Sequence, residues 1–325
     1  MNNLLRHNKL LAFFKLVRIE NLVMIALTQI VLRTLIVQKI FLINNIQPEL
    51  ENSLFYCLVL STVLIAAAGY IINDYFDVKT DLINHPDTVV VDRVIKRRWA
   101  IILHITFTLV GITLGMYTAL KTGYLRLAIF HFAAAILLWF YSTHLKKTLL
   151  IGNVVVSLLT ASVTFMPLVY ELGVMQKHDP TFLLTYKYVN FSIFKITFIY
   201  ALFAFITSMA REIIKDMEDY KGDKETGGRT MPIVWGMRVS KLNAFFLLII
   251  TILLLLFVLY NTIRSERVLF TLNNFYILMG LVIPLSILAL YTIKAQESKQ
   301  FKKASLLLKF IMLTGLCYSF IFYYN

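Results

Sequence analysis

Oxygen ligands at helical spacing are the first feature of this chain that could do chemistry. Within Ile71-Ile72-Asn73-Asp74-Tyr75-Phe76-Asp77-Val78-Lys79-Thr80-Asp81, residues Asn73, Asp77 and Asp81 recur at i, i+4 and i+8. On a helix of 3.6 residues per turn they project from one face, with Asp74 close by. A second row, Asp216, Asp219 and Asp223 at i, i+3 and i+7, lies in Arg211-Glu212-Ile213-Ile214-Lys215-Asp216-Met217-Glu218-Asp219-Tyr220-Lys221-Gly222-Asp223. Carboxylates brought together repel and drive one another's pKa upward unless a cation neutralises them. Hard oxygen ligands suit Mg²⁺, which binds through a few carboxylates plus substrate phosphate oxygens. One such row alone is ordinarily solvated loop charge; two at equivalent helix ends point to a Mg²⁺-diphosphate site where they face each other.

The elements that must position these rows are membrane helices. Hydrophobic residues make up 59% of the 325 and charged residues 15%, against about 25% charged in soluble domains. Apolar runs of about 20 residues, the length a bilayer core demands of a helix, recur along the chain. The roughly ten-residue alternation of a membrane β-barrel is absent. The expected fold is therefore all-α, a polytopic membrane protein forming a single domain over 1–325. The basic segment Met1 to Lys15 lacks the apolar core and cleavage site of a signal peptide and is read as mature protein. The net charge of +14 could suggest nucleic acid, but the cations lie between apolar segments, where topology accounts for them. No nucleic acid partner is expected. Cys57 and Cys317 sit in apolar runs far apart, and read as packing residues.

Nine spans are predicted, at about 19–43, 53–75, 99–120, 125–142, 149–170, 191–212, 242–260, 270–293 and 304–323. The N-terminus and the connections after spans two, four, six and eight carry roughly 22 of the 32 Lys and Arg, against about nine on the other side. That bias puts the N-terminus in the cytoplasm and the C-terminus outside, in a cell (inner) membrane. Both acidic rows then fall on the cytoplasmic side. Arg33 and Lys39 run against the bias and are expected to snorkel to the outer interface.

Arg18 and Asn21 open span one. Pro86 disfavours helix at His85, and Lys96-Arg97-Arg98 reads as a membrane anchor. Lys146 and Lys147, in Tyr141-Ser142-Thr143-His144-Leu145-Lys146-Lys147, are cytoplasmic anchors, at least one of them nothing more, while the other is placed to reach the leaving group as a compact cation for phosphate. Span five opens with Gly152-Asn153. His104 and His131 have no partners at ligand spacing and read as helix-bonding residues. Gly222, Gly227 and Gly228 suit either an anion-cradling loop or an ordinary turn; the spacing is not that of a P-loop. Pro284 is expected to kink span eight.

With those residues in place, Asn73-Asp74-x-x-Asp77-x-x-x-Asp81 together with Asp219-x-x-x-Asp223 resembles the UbiA superfamily of intramembrane prenyltransferases. The likeness extends over Tyr141-Ser142, Leu145-Lys146-Lys147, Gly152-Asn153, Gly227 and Thr230-Met231-Pro232. The Arg211 to Asp219 segment and Asn84-x-Pro86 look most like its digeranylgeranylglyceryl-phosphate synthase branch, which makes ether-linked archaeal-type lipids. Thr88 and Asp92 depart from that branch, which commonly has Arg and Gly there. The resemblance implies a nine-helix UbiA-type bundle with a central cavity, capped on the cytoplasmic side by loops 76–98 and 213–241 and open laterally to lipid. It implies that Asn73, Asp77 and Asp81 bind one Mg²⁺, and Asp219 and Asp223 another, both bridging a polyprenyl diphosphate.

On that reading Lys146, Lys147, Arg211 and Lys215 are candidates for contacting the diphosphate. Asp74 and Asp216 are candidates for orienting the acceptor, and with Lys146 form the catalytic set. Cations would stabilise the charge that builds on the leaving oxygen. An apolar, aromatic pocket would keep water from the allyl cation, and 25 Phe and 17 Tyr could wall it. The expected reaction is transfer of a polyprenyl group, geranylgeranyl in the branch resembled, to a lipophilic acceptor in the bilayer, a glycerol-phosphate ether or an aromatic quinone precursor. The rival from another class is an ion-coupled transporter, but its binding site would lie near the midplane rather than at one surface. An alcohol phosphotransferase would need an Asp-Gly-x-x-Ala-Arg lead-in that the chain lacks.

Overall fold

A computed structural model describes residues 9–266, 268 and 271–324; residues 1–8, part of the basic leader read above as mature protein, lie outside them. Among the described residues nine helices are long and apolar enough to cross a membrane. A short helix α1 (Lys9–Leu16) precedes α2 (Ile19–Ile43), α3 (Asn52–Asn84), α4 (Arg97–Lys121), α5 (Leu125–Thr143), α6 (Ile151–His178), α7 (Lys187–Glu218), α8 (Gly236–Arg264), α9 (Leu272–Lys294) and α10 (Ser298–Tyr324). The described residues hold no strand, only an isolated bridge between Val91 and Ile95.

The number of spans agrees with the sequence, but several are longer than their apolar windows. α3 runs nine residues past position 75, to Asn84, and α7 reaches Glu218. Hydropathy ends where polar side chains begin, whereas helical hydrogen bonding continues until a breaker stops it. For α3 the breaker is Pro86, with His85 already out of the helical region at φ −139° and ψ 56°. Segments 76–98 and 213–241 are accordingly not loops throughout. Residues 76–84 and 213–218 continue α3 and α7, short helices occupy Tyr220–Glu225 and Met231–Val234, and α8 starts at Gly236.

Lipid-facing positions explain why large apolar side chains such as Leu253, Phe257, Ile287 and Phe310 are exposed. Inside the bundle, Ala210, Ile214, Leu248, Leu285, Phe301 and Leu308 join α7, α8, α9 and α10. Ala12, Leu16, Ile71, Val78, Val90, Val91 and Ala100 fasten α1 and the loop after α3 onto α3 and α4. Pro284 sits directly after a π-helical turn at Ile277–Val282, a wide turn that accommodates the missing N–H.

Arg33 does not snorkel. It is 2% exposed, with Nε 3.4 Å from Glu171 Oε2, one guanidinium nitrogen donating to Asn52 Oδ1 at 2.8 Å and the other to the Leu50 carbonyl. Glu171 in turn accepts the N–H groups of Glu49 and Leu50. The buried cation is paired on every side, so it closes the end of the bundle away from the acidic rows instead of reaching water. Lys39 caps α10 by donating to the Phe322 and Tyr323 carbonyls. His104 bonds the Ala68 carbonyl, and His131 lies between Ser61 and Tyr170, so both histidines do tie helices together.

Candidate active site

The two acidic helix ends meet. Asn84, the last residue of α3, donates through Nδ2 to the Asp219 carbonyl at 3.0 Å and accepts the Gly222 N–H through Oδ1 at 2.8 Å. Thr80 and Thr226 hydroxyls lie 3.1 Å apart. His85 Nε2 is 2.9 Å from Asp219 Oδ1 and 3.6 Å from Glu218 Oε1. Gly222 is required here: a Cβ at that position would come 2.5 Å from Asn84 Nδ2. Gly227, at φ 77°, turns the chain so that the Gly228 N–H reaches the Asp223 carbonyl at 2.7 Å. These contacts are those of a turn that seals the second acidic end.

A third element enters from the α5–α6 connection. Lys146 pairs with Asp77, and this connection can sit so close because Gly152 has no side chain; a Cβ there would lie 2.6 Å from the Leu145 carbonyl. Asn153, next in sequence, donates to Asp216 Oδ2 at 2.8 Å. Gly152-Asn153 therefore holds both a lysine and an aspartate in place. Lys147 faces the other way: its carbonyl accepts the Arg229 N–H at 2.9 Å and its Nζ lies 3.5 Å from the Thr226 carbonyl.

Beneath this polar mouth is a cavity of about 410 Å³ between α2, α3, α5, α6, α7 and α10. Its mouth is lined by Asn73, Asp81, Asp219, Lys146, Arg211 and Lys215, and its deep end by Thr62, His131, Met166 and Tyr200. The fifteen residues from Asp77 to Thr62 on α3 correspond to about 22 Å of depth at the helical rise. Asp77 and Asp223 are 4% and 9% exposed and, like Asp74, Asp216 and Lys147, do not themselves line the cavity. Asp74 is held by Arg18 at 2.9 Å.

Electrostatics follow this geometry. Burial pushes the Asp223 carboxyl up to about 6, with Lys146 opposing and Asp219 and Asp77 reinforcing the shift. Burial would also raise Asp219, but the His85 hydrogen bond and the cations Lys146 and Lys215 outweigh it and hold that carboxyl below its ordinary range. Burial disfavours the Lys146 ammonium, yet Asp77 and its neighbours keep it charged well past the usual lysine range. The donor set fits a hard divalent cation: four carboxylates and an amide, with Asn73 Oδ1 buried and unpaired among the described residues.

Some residues at the site carried no role in the sequence reading. Glu212 lies 3.3 Å from Arg211 and 3.5 Å from Lys215 and spaces the two cations; its signal was Arg-Glu-x-x-Lys on a membrane helix, where charges are costly. Asn84 and His85 were visible only as the residues before Pro86. Tyr141, also in the cavity wall, lay in a segment quoted for its lysines.

The fold and site together define a polytopic helical membrane protein whose central cavity is apolar in depth and charged at one mouth. The chain belongs to the UbiA prenyltransferase family, whose family model matches residues 34–314. It is 30% identical over 269 residues to the digeranylgeranylglyceryl phosphate synthase of Methanobrevibacter smithii, covering 81% of this chain and 83% of that one. To the Methanothermobacter thermautotrophicus protein of the same name it is 34% identical over 198 residues, 60% of this chain, and the match spans only 62% of that relative's length. A solved structure of a digeranylgeranylglyceryl phosphate synthase aligns over 97% of this chain and 98% of its own, with TM-score 0.63 and 22% identity. An Archaeoglobus fulgidus UbiA homologue solved with DMAPP and Mg²⁺ aligns over 95% of this chain and 99% of its own, with TM-score 0.51 and 16% identity. These two likenesses show the shared fold.

Proposed function

We propose that this protein transfers a geranylgeranyl group from its diphosphate to the hydroxyl of a glycerol-phosphate ether lipid, in a Mg²⁺-dependent reaction at the cytoplasmic face. The observation that carries the reading is the joining of two acidic helix ends over a deep apolar cavity with Lys146, Arg211 and Lys215 at its mouth. The names of the relatives support the acceptor class. The structure solved with DMAPP and Mg²⁺ supports the donor and the metal.

Asn73, Asp77 and Asp81 would hold one Mg²⁺, and Asp219 and Asp223 the other. Mg²⁺ so bound would supply charge neutralisation to the diphosphate as it leaves. Lys146, Arg211 and Lys215 donate to the diphosphate oxygens, with Glu212 fixing the spread of the last two. Lys147 tethers the second acidic loop rather than reaching substrate. The cavity walls exclude water while the C1–O bond breaks and the acceptor oxygen bonds to C1. The acceptor's hydroxyl proton departs with the diphosphate. Asp74 and Asp216, turned to Arg18 and Asn153, orient the acceptor side of the mouth. The N-terminus and the cap built from 76–98 and 213–241 face the cytoplasm, and the C-terminus lies outside.

Purified protein supplied with geranylgeranyl diphosphate, a geranylgeranylglyceryl phosphate acceptor and Mg²⁺ is expected to form the diether, read by mass spectrometry, and EDTA to stop it. Transfer that persists without divalent metal refutes the proposed chemistry. Transfer only to an aromatic acid would move the acceptor to the quinone-precursor class.

A further inference from the structure

A second, smaller pocket of about 210 Å³ adjoins the cavity mouth and shares Arg18, Asp81 and His85 with it. Its remaining wall comes from Lys15 on α1, from Asp74 and from the segment Thr88 to Val91. That wall is held by the core, because Val90 and Val91 are packed with Ala12, Leu16 and Ala100. Lys15 Nζ is buried and has no hydrogen-bond partner among the described residues. Burial pushes its ammonium pKa down, Asp74 only partly offsets this, and Lys302 adds a like charge nearby. In the same wall the N–H groups of Val89, Val90 and Val91 donate to no backbone acceptor among the described residues.

One carboxylate of the pocket, Asp74, is paired with Arg18 at 2.9 Å; the other, Asp81, would hold the first Mg²⁺ on the transferase reading. Arg18 is also held at φ 51°, a strained conformation for a residue with a side chain and one that tends to persist at functional sites. An unpaired buried ammonium beside consecutive N–H groups with no backbone acceptor among the described residues is complementary to an anion with several acceptor oxygens.

We propose that this pocket seats the phosphate monoester of the acceptor lipid, with Lys15 supplying its counter-charge. The inference rests on the transferase reading above and deepens it. A glycerol-phosphate acceptor carries its phosphate and its reacting hydroxyl on one three-carbon unit. The phosphate must therefore bind within a glycerol's length of the carbon under attack. A pocket that shares three wall residues with the diphosphate mouth meets that requirement.

The test compares geranylgeranylglyceryl phosphate with geranylgeranylglycerol, which lacks the phosphate, as acceptors for the purified full-length protein. Lys15→Gln is expected to raise KM for the phosphorylated acceptor about 10- to 100-fold, the range for a lost hydrogen bond to a charged group. KM for the prenyl diphosphate and kcat at saturation stay unchanged, and Lys15→Arg restores most of the loss. Geranylgeranylglycerol is expected to be used weakly and equally by wild type and Lys15→Gln. Equilibrium binding of geranylgeranylglyceryl phosphate without Mg²⁺ or prenyl diphosphate should weaken by the same factor. Inorganic phosphate should compete with the phosphorylated acceptor in wild type and lose that effect in Lys15→Gln.

An equal loss on both acceptors, or a change confined to KM for the prenyl diphosphate, overturns the assignment and leaves the transferase reading standing. Competition by inorganic phosphate against the prenyl diphosphate alone assigns the pocket to the leaving group and likewise overturns it. Transfer by wild type to neither acceptor overturns the reading and this inference together.

Discussion

Asn84 is the neutral brace between the two acidic ends, and its removal tests whether they act as one site. Its carboxamide makes two hydrogen bonds to the second end, at 3.0 Å to the Asp219 carbonyl and 2.8 Å from the Gly222 N–H. At about 1 kcal/mol for each neutral bond, Asn84→Ala removes about 2 kcal/mol of bracing, or about 30-fold in an equilibrium constant. If Mg²⁺ and diphosphate bind across both ends, that loss should appear in KM for the prenyl diphosphate and in the Mg²⁺ concentration for half activity. Gly222→Ala should do the same by another route, since its Cβ would sit 2.5 Å from Asn84 Nδ2 and 2.7 Å from its Cγ. The two substitutions must then be non-additive: with the carboxamide gone, the new methyl meets little, and the double variant should be only slightly worse than Asn84→Ala. Initial rates over a grid of Mg²⁺ and diphosphate concentrations measure this directly. Effects that add in full, or that change kcat while leaving both concentration dependences alone, would show that the ends bind independently.

Other perturbations separate the parts of the bundle. Lys146→Met removes a cation from the cavity mouth and leaves Asp77 buried and unpaired, so kcat is expected to fall by about 10²-fold or more, with Lys146→Arg intermediate; wild-type kcat in Lys146→Met would remove the lysine from the mechanism. Arg33→Met strands Glu171 at the opposite end and should cost about 3–5 kcal/mol of stability, seen in unfolding from detergent, while KM for the prenyl diphosphate stays put. Met166→Trp fills the deep end of the cavity, so products should shift to shorter prenyl groups in mass spectra of a mixed-donor assay. An unchanged product distribution would place the prenyl tail elsewhere.

Much of this arrangement was legible because the bilayer simplifies the reading of a chain. Apolar runs gave nine spans, and Asn73, Asp77 and Asp81 were visible as one helix face before any packing was known. What the sequence could not carry was which residue meets which. Arg33 was read as a snorkelling cation because hydropathy sees one charge at a time; Glu171, its partner, lies 138 positions away. Asn84 and His85 read as part of the connection before Pro86, since their importance depends on the Asp219 to Gly222 segment reaching them. Gly152 illustrates the same limit: as a letter it suggests a turn, and only the Leu145 carbonyl at 2.6 Å from a would-be Cβ shows a close approach.

Two polar clusters at opposite ends of the bundle use similar residue types to opposite effect. In the cluster away from the acidic rows Arg33, Glu171, Asn52 and the Leu50 backbone satisfy one another completely, as a buried network must if it is to rigidify the fold. Around the acidic rows Asn73 Oδ1, Lys15 Nζ and Arg211 Nε are buried and unpaired among the described residues, although carboxylates and amides crowd around them. Burying a polar atom without a partner is costly, so a fold that does this twice in the cavity mouth and once in the pocket beside it leaves donors and acceptors ready for a ligand. The unpaired atoms also differ in kind: an amide oxygen for a cation, and an ammonium and a guanidinium N–H for anions. That division matches a metal-bound diphosphate meeting a phosphorylated acceptor, and it would make little sense for an ion pathway, which needs a continuous run of one kind across the membrane.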